Sequence, residues 1–333
     1  MTDLHRYSRQ TLVSQVGLEG QQRLASSRVV IVGVGGLGCL VGAQLAGAGV
    51  GRIHLIDHDV VDITNLHRQV LFRETDIGQS KSLTALRELR AINSDIEISA
   101  TQSRLSISNV GALIEDSLLV IDAADNFATS YLLSDACLAA HIPLLSASVN
   151  KSFGYLGTFC GSDTAPAPSL RAVFPKLPKE QQSCDTVGVT GPSVGVIASL
   201  QAQEAIKLLV GGKDQLLGKL LYADLWNYKM HTMDFSKAQE PCDSQIELIT
   251  AHQILDSDYV IDVRESHETA AEPQSFETSL CLPLLQFDKR IGEIPESSRL
   301  VLACRSGQRA LIAAQCLLDH GHISVAAVLP DQE

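Results

Sequence analysis

No C-x-x-C pair occurs among the eight cysteines. That spacing is the common mark of paired-thiol metal and redox motifs, and scattered thiols fit a reducing compartment better than a disulfide framework. Basic charge is also short. Lys and Arg number 26 against 38 Asp and Glu, a net charge of −12, which argues against a general nucleic-acid binder or a protein of anionic membrane surfaces. A small partner gripped by a local patch remains compatible. No apolar run is long and unbroken enough to span a bilayer, since residues 29–50 are punctured by glycines. The first ten residues are polar and charged, without a signal-peptide pattern, so the expected location is the cytoplasm. What is present is material for a core: 45% hydrophobic residues in 333, enough for two domains or one large domain with an appendage.

The most informative stretch is 28–59. Val29–Val32 reads as a buried strand that ends in Gly33-Val34-Gly35-Gly36-Leu37-Gly38, matching G-x-G-x-x-G. An Ala/Gly/Leu-rich helix follows, then a second apolar strand, 52–56, closing on Asp57. Glycines are needed where a strand turns tightly into a helix and the backbone approaches a phosphate. The helix N-terminus offers N–H groups to that anion, and an acid about 20 positions on can hold ribose hydroxyls. By itself this indicates a nucleotide and a βαβ unit.

The next loop departs from a dehydrogenase. Asp57, Asp59, Thr64, Asn65, Arg68 and Gln69 crowd a loop beside the glycine turn. A guanidinium can neutralise a polyphosphate bidentately, and a carboxylate can take Mg²⁺. Lys81 opens a helix running to about residue 93, where the dipole does not favour a cation unless an anion lies nearby. Residues 96–100 and 118–121 read as strands, the second ending in Asp122-Ala123-Ala124-Asp125-Asn126. Carboxyl ends of such strands form the ligand crevice of an open α/β sheet. Asp125 therefore suits Mg²⁺ or nucleotide, or caps the helix expected at 127–140. A strand is expected at 143–149. Residues 163–183 hold several prolines and no clear period, and read as a mobile crossover. Ahead of the first strand, residues 4–26 read as a helical arm. Two arginines near its start, Arg6 and Arg9, are either solvated surface or reach a phosphate, in a neighbouring subunit.

From about residue 240 a new unit begins. Residues 248–255 read as a short helix, 259–265 as a strand running into charge, and 300–303 as a buried strand. The last breaks into Cys304-Arg305-Ser306-Gly307-Gln308-Arg309-Ala310 and a helix to 318. Backbone N–H groups of such a loop can form an anion nest. With Arg305 and Arg309 they favour a thiolate at Cys304, whose alternative role is a buried spacer.

Together Gly33–Gly38, Asp57, Thr64-Asn65-Leu66-His67-Arg68-Gln69, Gly78-Gln79-x-Lys81, Asp122-x-x-Asp125-Asn126, the R-Y-S-R-Q arm at 6–10 and the stretch 188–207 resemble the ubiquitin-activating E1-like superfamily. The likeness is strongest to the MoeB, ThiF and HesA adenylyltransferases and covers about residues 4–235. It implies an α/β fold, Rossmann-like with a mixed sheet, in a domain spanning 1–240. It implies ATP and Mg²⁺, and attack of the C-terminal Gly-Gly carboxylate of a small ubiquitin-like sulfur-carrier protein on the α-phosphate. Arg68, Lys81 and Asp125 would carry phosphates and metal, Arg9 would be donated across a homodimer, and Asp57 would hold the ribose. Gly33, Gly35, Gly36, Gly38, Asp59, Thr64, Asn65, Leu66, His67, Gln69 and Asn126 would line the nucleotide. Cys184 matches the position of a reactive cysteine that forms a thioester or mixed persulfide with the carrier. The structural zinc of these enzymes is not expected here, because its first cysteine pair would fall near 169–172, where no thiol stands, and Cys242 lacks a partner. Structural zinc needs four ligands, so packing alone would hold this end.

I-D-V-R-E at 261–265 and C-R-S-G-Q-R-A at 304–310 resemble a rhodanese. They imply a small α/β domain at 241–333, short for that family, in which Cys304 carries sulfane sulfur from a donor such as a cysteine desulfurase. Rival readings are adenylation of another peptide or protein C-terminus, a dinucleotide oxidoreductase in which Asn65, Arg68, Gln69 and Lys81 have no role, and a non-catalytic ATP-binding scaffold.

Overall fold

A computed structural model describes residues 5–176, 188–241, 246–295 and 299–331. Cys184 and Cys242 lie outside the described residues. After an arm of turns comes α1 (Gly17–Ser26), then β1 (Arg28–Val32), α2 (Gly36–Ala48), β2 (Arg52–Ile56), α3 (Lys81–Ile92), β3 (Glu97–Thr101), α4 (Val110–Ile114), β4 (Leu119–Asp122), α5 (Phe127–Ala140), β5 (Leu144–Asn150) and β6 (Phe153–Phe159). A small hairpin, β7 (Gly161–Ser162) and β8 (Ala165–Pro166), leads to α6 (Leu170–Val173), α7 (Gly191–Val210), β9 (Lys219–Asp224) and β10 (Lys229–Asp234). The remainder holds β11 (Glu247–Ile249), β12 (Tyr259–Asp262), α8 (Ser266–Ala271), β13 (Leu280–Cys281), α9 (Leu284–Arg290), β14 (Leu300–Ala303), α10 (Gln308–Asp319) and β15 (Val325–Val328).

Two large sheets organise these elements. The first has eight strands in the order β10-β9-β6-β5-β4-β1-β2-β3. The run from β3 to β5 is parallel, and β6, β9 and β10 add antiparallel pairs. It is the mixed Rossmann-like sheet the motifs imply. β1 after Arg28 and β4 before Asp122 are apolar and buried because helices cover both faces of a parallel sheet. The second sheet is wholly parallel, ordered β11-β15-β14-β12-β13. One apolar cluster continues across both units, joining Ala128 and Tyr131 of α5 to Ala310, Leu311 and Leu317 of α10.

Several boundaries follow from local chemistry. α2 and α7 end on Gly49 and Gly211, both left-handed. Ser80 caps α3. Asn126, not Asp125, caps α5, accepting from the Thr129 N–H at 2.9 Å, which leaves the Asp125 carboxylate outside the helix.

Three expectations need correction. Residues 248–255 are not a helix: Glu247–Ile249 is an edge strand paired with β15, followed by a 3₁₀ turn at Ala251–Gln253. The described part of the crossover is ordered by specific contacts. Ser169 donates from its N–H and Oγ to the Glu240 carboxylate at 2.7 and 2.6 Å. Arg171 pairs bidentately with Asp135 at 2.7 and 2.8 Å and lies over the Tyr131 ring. Polar clamps as well as packing therefore hold the region near 169–172. Nearby Cys160 and Cys137 are buried, which pushes the Cys160 thiol up to about 12 and that of Cys137 well above its ordinary value. Finally, α7 is a helix of 20 residues long and apolar enough to cross a membrane by length and composition alone. Half of its apolar window is buried, and Gln201 ties it to the sheet by donating to the Asp122 and Leu145 carbonyls. It is a core helix.

Candidate active site

The strand-to-helix turn after β1 is built on two glycines. Gly33 has φ +89°, and a Cβ there would stand 2.6 Å from the Ala123 carbonyl oxygen. At Gly38 a Cβ would stand 1.9 Å from the Gly33 carbonyl oxygen. Only glycine lets the turn close this tightly. The result is an α2 N-terminus that no side chain caps, so its first N–H groups are available to an anion.

That turn forms one wall of a cavity of about 800 Å³ at the carboxyl ends of β1, β2 and β4. Gly33, Gly35 and Gly36 line it, as do Asp57, Asp59, Thr64, Asn65, Arg68, Gln69, Lys81, Asp125 and Asn126. Residues separated by almost a hundred positions thus converge. Among the described residues, Gly38, Leu66, His67 and Arg9 do not line it. Gly38 serves turn packing, and Leu66 packs on the core beneath the loop. His67 turns its Nδ1 to the Thr64 carbonyl at 3.0 Å. Arg9 is exposed on the arm, whose neighbours are structural: buried Tyr7 receives a hydrogen bond from Asn93, and Arg6 pairs with Asp95.

The electrostatics of the cavity are uneven. The Asp57 carboxylate accepts from the Val34 N–H at 2.6 Å and the Asp59 N–H at 2.8 Å. Burial still pushes it above the ordinary carboxylate range. Lys81 is buried, its Nζ 2.9 Å from Asp59 Oδ2. Burial pushes Asp59 up, but the Lys81 ammonium, with His58 and Arg104, outweighs it and holds the carboxyl below its usual value. Arg68 reaches the Thr64 carbonyl from the cavity edge. Asp125 is exposed to the cavity and accepts only a long bond, 3.3 Å, from Asn126 among the contacts in view. Gln69 is 3% exposed and its Oε1 has no hydrogen-bond partner among the described residues. An unpaired buried amide oxygen is costly unless something fills the space before it.

The motifs did not place Arg104, Lys151 or Gln308 in this cavity, which all three line. Arg104 follows β3, so its place past a parallel strand's carboxyl end was a usable signal. Lys151 sits in the β5–β6 turn with φ +55°. Gln308, Leu311 and Ile312 come from α10 in the second unit, giving the cavity a wall from each. Cys304 lies just before this helix, 7% exposed, its Sγ accepting from the Ala310 N–H at 3.4 Å. The flanking arginines are engaged: Arg309 with Glu268 at 2.6 Å, Arg305 with Glu272 at 4.0 Å.

A glycine turn, an uncapped helix end, and Arg68, Lys81 and the Asp125 carboxylate in one cavity define an α/β protein of the nucleotide-binding class. Within that class the chain belongs to the ThiF family, whose model matches residues 7–244. It is 36% identical over 271 residues to "Adenylyltransferase and sulfurtransferase MOCS3" of Anopheles gambiae, covering 81% of this chain and 61% of that protein. It is 39% identical over 236 residues to "SAMP-activating enzyme E1" of Haloferax volcanii, covering 70% and 86%. The MOCS3 relatives from Anopheles and Culex are longer, and the chain spans 61% and 50% of their lengths. Among solved structures, E. coli MccB matches with a TM-score of 0.64 at 26% identity, over 71% of each chain.

Proposed function

We propose that this chain adenylates the C-terminal Gly-Gly carboxylate of a small ubiquitin-like sulfur-carrier protein, using ATP. The observation that carries the reading is the convergence, in one cavity, of the uncapped α2 N-terminus with Arg68, Lys81 and Asp125. An attacking carboxylate is already ionised near neutral pH and needs no general base. Its difficulty is like-charge repulsion from the polyphosphate, which fixed donors and cations offset. A carboxylate oxygen forms the new bond to the α-phosphorus, the bond to the β-phosphate oxygen breaks, and pyrophosphate leaves. Arg68, Lys81 and the α2 N–H groups bind and orient the phosphates. The Gln69 amide, stranded at the cavity wall, and buried Asp57 face the nucleoside end. Asp125 offers the hard, accessible oxygen that Mg²⁺ prefers; the ion would supply charge neutralisation on the phosphates.

The likeness to MOCS3, an adenylyltransferase and sulfurtransferase, supports assigning 1–240 to adenylation and 241–333 to a rhodanese-like domain. In this reading Cys304 carries a persulfide received from a donor such as a cysteine desulfurase. Its terminal sulfur displaces AMP from the acyl-adenylate, and a thiol then cleaves the S–S bond to release the thiocarboxylate. Exposed Arg9 supports a homodimer in which it enters the partner's cavity, and the protein would work in the cytoplasm.

A second reading rests on MccB, whose solved structures include one with ATP at 26% identity and TM-score 0.61 and one with MccA at 25% and 0.63. Under it the acceptor is a different C-terminus. ATP–pyrophosphate exchange with a panel of Gly-Gly-ending carriers separates the two. Exchange that needs a carrier and collapses in Arg68→Ala and Asp125→Ala supports the first. ATP binding without exchange for any carrier overturns it.

A further inference from the structure

On the face of the second unit, α9 and α10 bring together three side chains of metal-binding type. Cys316 and His320 stand four residues apart near the end of α10, and Asp288 projects from α9. Cys316 Sγ is 3.6 Å from Asp288 Oδ1 and 3.8 Å from His320 Nδ1. His320 Nε2 is 3.9 Å from Asp288 Oδ1. One ligand atom from each residue lies within 4.8 Å of the other two.

Two further features suit a cation. His320 Nδ1 is 2.8 Å from the Cys316 carbonyl oxygen, to which it can only donate. That bond places the proton on Nδ1 and leaves the Nε2 lone pair directed outward, the arrangement that orients imidazole ligands in metal sites. His320 is also the C-cap of α10, where the terminal carbonyls and the negative dipole end favour positive charge. The adjacent acid, Asp319, is paired with Lys176 at 2.8 Å, and Asp288 supplies the carboxylate of the cluster.

We propose that Asp288, Cys316 and His320 form a surface zinc site that pins α9 to α10. A thiolate with an imidazole and one carboxylate is a borderline-soft donor set, which suits Zn²⁺ rather than Mg²⁺ or Ca²⁺. For bond lengths of about 2.0–2.3 Å, tetrahedral edges run to roughly 3.3–3.6 Å. The Cys316 Sγ–Asp288 Oδ1 separation already matches such an edge, and the Asp288 Oδ1–His320 Nε2 separation is longer than one by roughly half an ångström. The fourth position faces solvent and would be taken by water. This site is separate from the cavity described above and does not depend on what the cavity binds.

The test is metal titration of the full, reduced chain with Co²⁺ as spectroscopic stand-in and Zn²⁺ as competitor. Wild type and Cys304→Ser should both show a thiolate-to-cobalt charge-transfer band that Zn²⁺ abolishes, and Cys316→Ser should lack it. Asp288→Asn, on an exposed side chain that cannot unfold the protein, should weaken Zn²⁺ competition by at least the roughly 10–100-fold that loss of an outer partner costs. His320→Ala should do the same. A band that survives in Cys316→Ser overturns the proposal, as does unchanged Zn²⁺ affinity in Asp288→Asn and His320→Ala. Binding at Asp57, His58 and Asp59, the other such group among the described residues, would give no thiolate band.

Discussion

Replacing Lys81 with methionine removes one buried cation from the cavity while keeping its stem and volume. Nζ lies 2.9 Å from Asp59 Oδ2, and the lysine side chain is 8% exposed against 50% for the aspartate. One charge at about 4 Å from another is worth roughly 4 kcal/mol at an effective dielectric constant near 20. Part of that is already spent on Asp59, so the loss in ATP binding should be about 2–3 kcal/mol, or roughly 30- to 150-fold at 1.4 kcal/mol per decade. The fold should tolerate the change. Asp59 is exposed enough to rehydrate, and exchanging a buried charge for a hydrophobe of similar volume is often neutral. Calorimetric titration with a non-hydrolysable ATP analogue in excess Mg²⁺, beside a thermal melt, reads both quantities. The salt dependence of binding should become shallower, since one screened contact has gone. A folded Lys81→Met protein that binds the analogue within about threefold of wild type, against the tenfold-per-1.4 kcal/mol scale, would refute the electrostatic account.

Two other expectations concern the framework. Arg171→Met deletes a bidentate pair with Asp135 and a contact with the Tyr131 ring while keeping the stem. It should lower stability by about 2–4 kcal/mol, read as a shift in urea midpoint, and no shift would mean the clamp contributes nothing. Glu268 has its carboxyl pulled from 4.5 to about 2, first by its hydrogen bond with Arg309. A depressed acid adds stability above its unfolded value and loses it as pH falls through the folded one. The Glu268→Gln protein should therefore show a flatter decline in melting temperature between pH 4.5 and 2, and superimposable acid limbs would contradict the pairing.

Where local chemistry decides structure, the sequence was readable. β1, the glycine turn and α2 follow from an apolar run broken by glycines, and α5 begins and ends where the periodicity puts it because Asn126 caps it. The cap role that the sequence offers to Asp125 falls to its neighbour Asn126, a difference only the three-dimensional register settles. Residues 248–255 misled because their composition suits a helix, whereas Glu247–Ile249 is drawn into a strand by β15, almost eighty positions away. In the loop at 64–69 the motif is contiguous, but a 3₁₀ turn spreads its side chains, so Leu66 goes to the core and His67 away from the cavity. The Arg171–Asp135 and Ser169–Glu240 clamps had no sequence signature, since each joins segments with no shared period. Gln308 was equally hidden, because nothing near it in the chain announces that α10 will meet α5.

That meeting has a thermodynamic consequence. Gln308, Leu311 and Ile312 close a cavity whose other walls come from the first sheet, so any molecule filling it touches both halves of the chain at once. Its binding energy then includes a share that holds the halves together. By reciprocity, whatever loosens their contact weakens the ligand by the same factor. Cys304 lies three residues before Gly307, where a Cβ would stand 2.3 Å from the Leu329 side chain and 3.6 Å from the Ala128 Cβ at the start of α5. By the same reciprocity, a ligand that bridges the two halves should slow alkylation of the Cys304 thiol, which is 7% exposed.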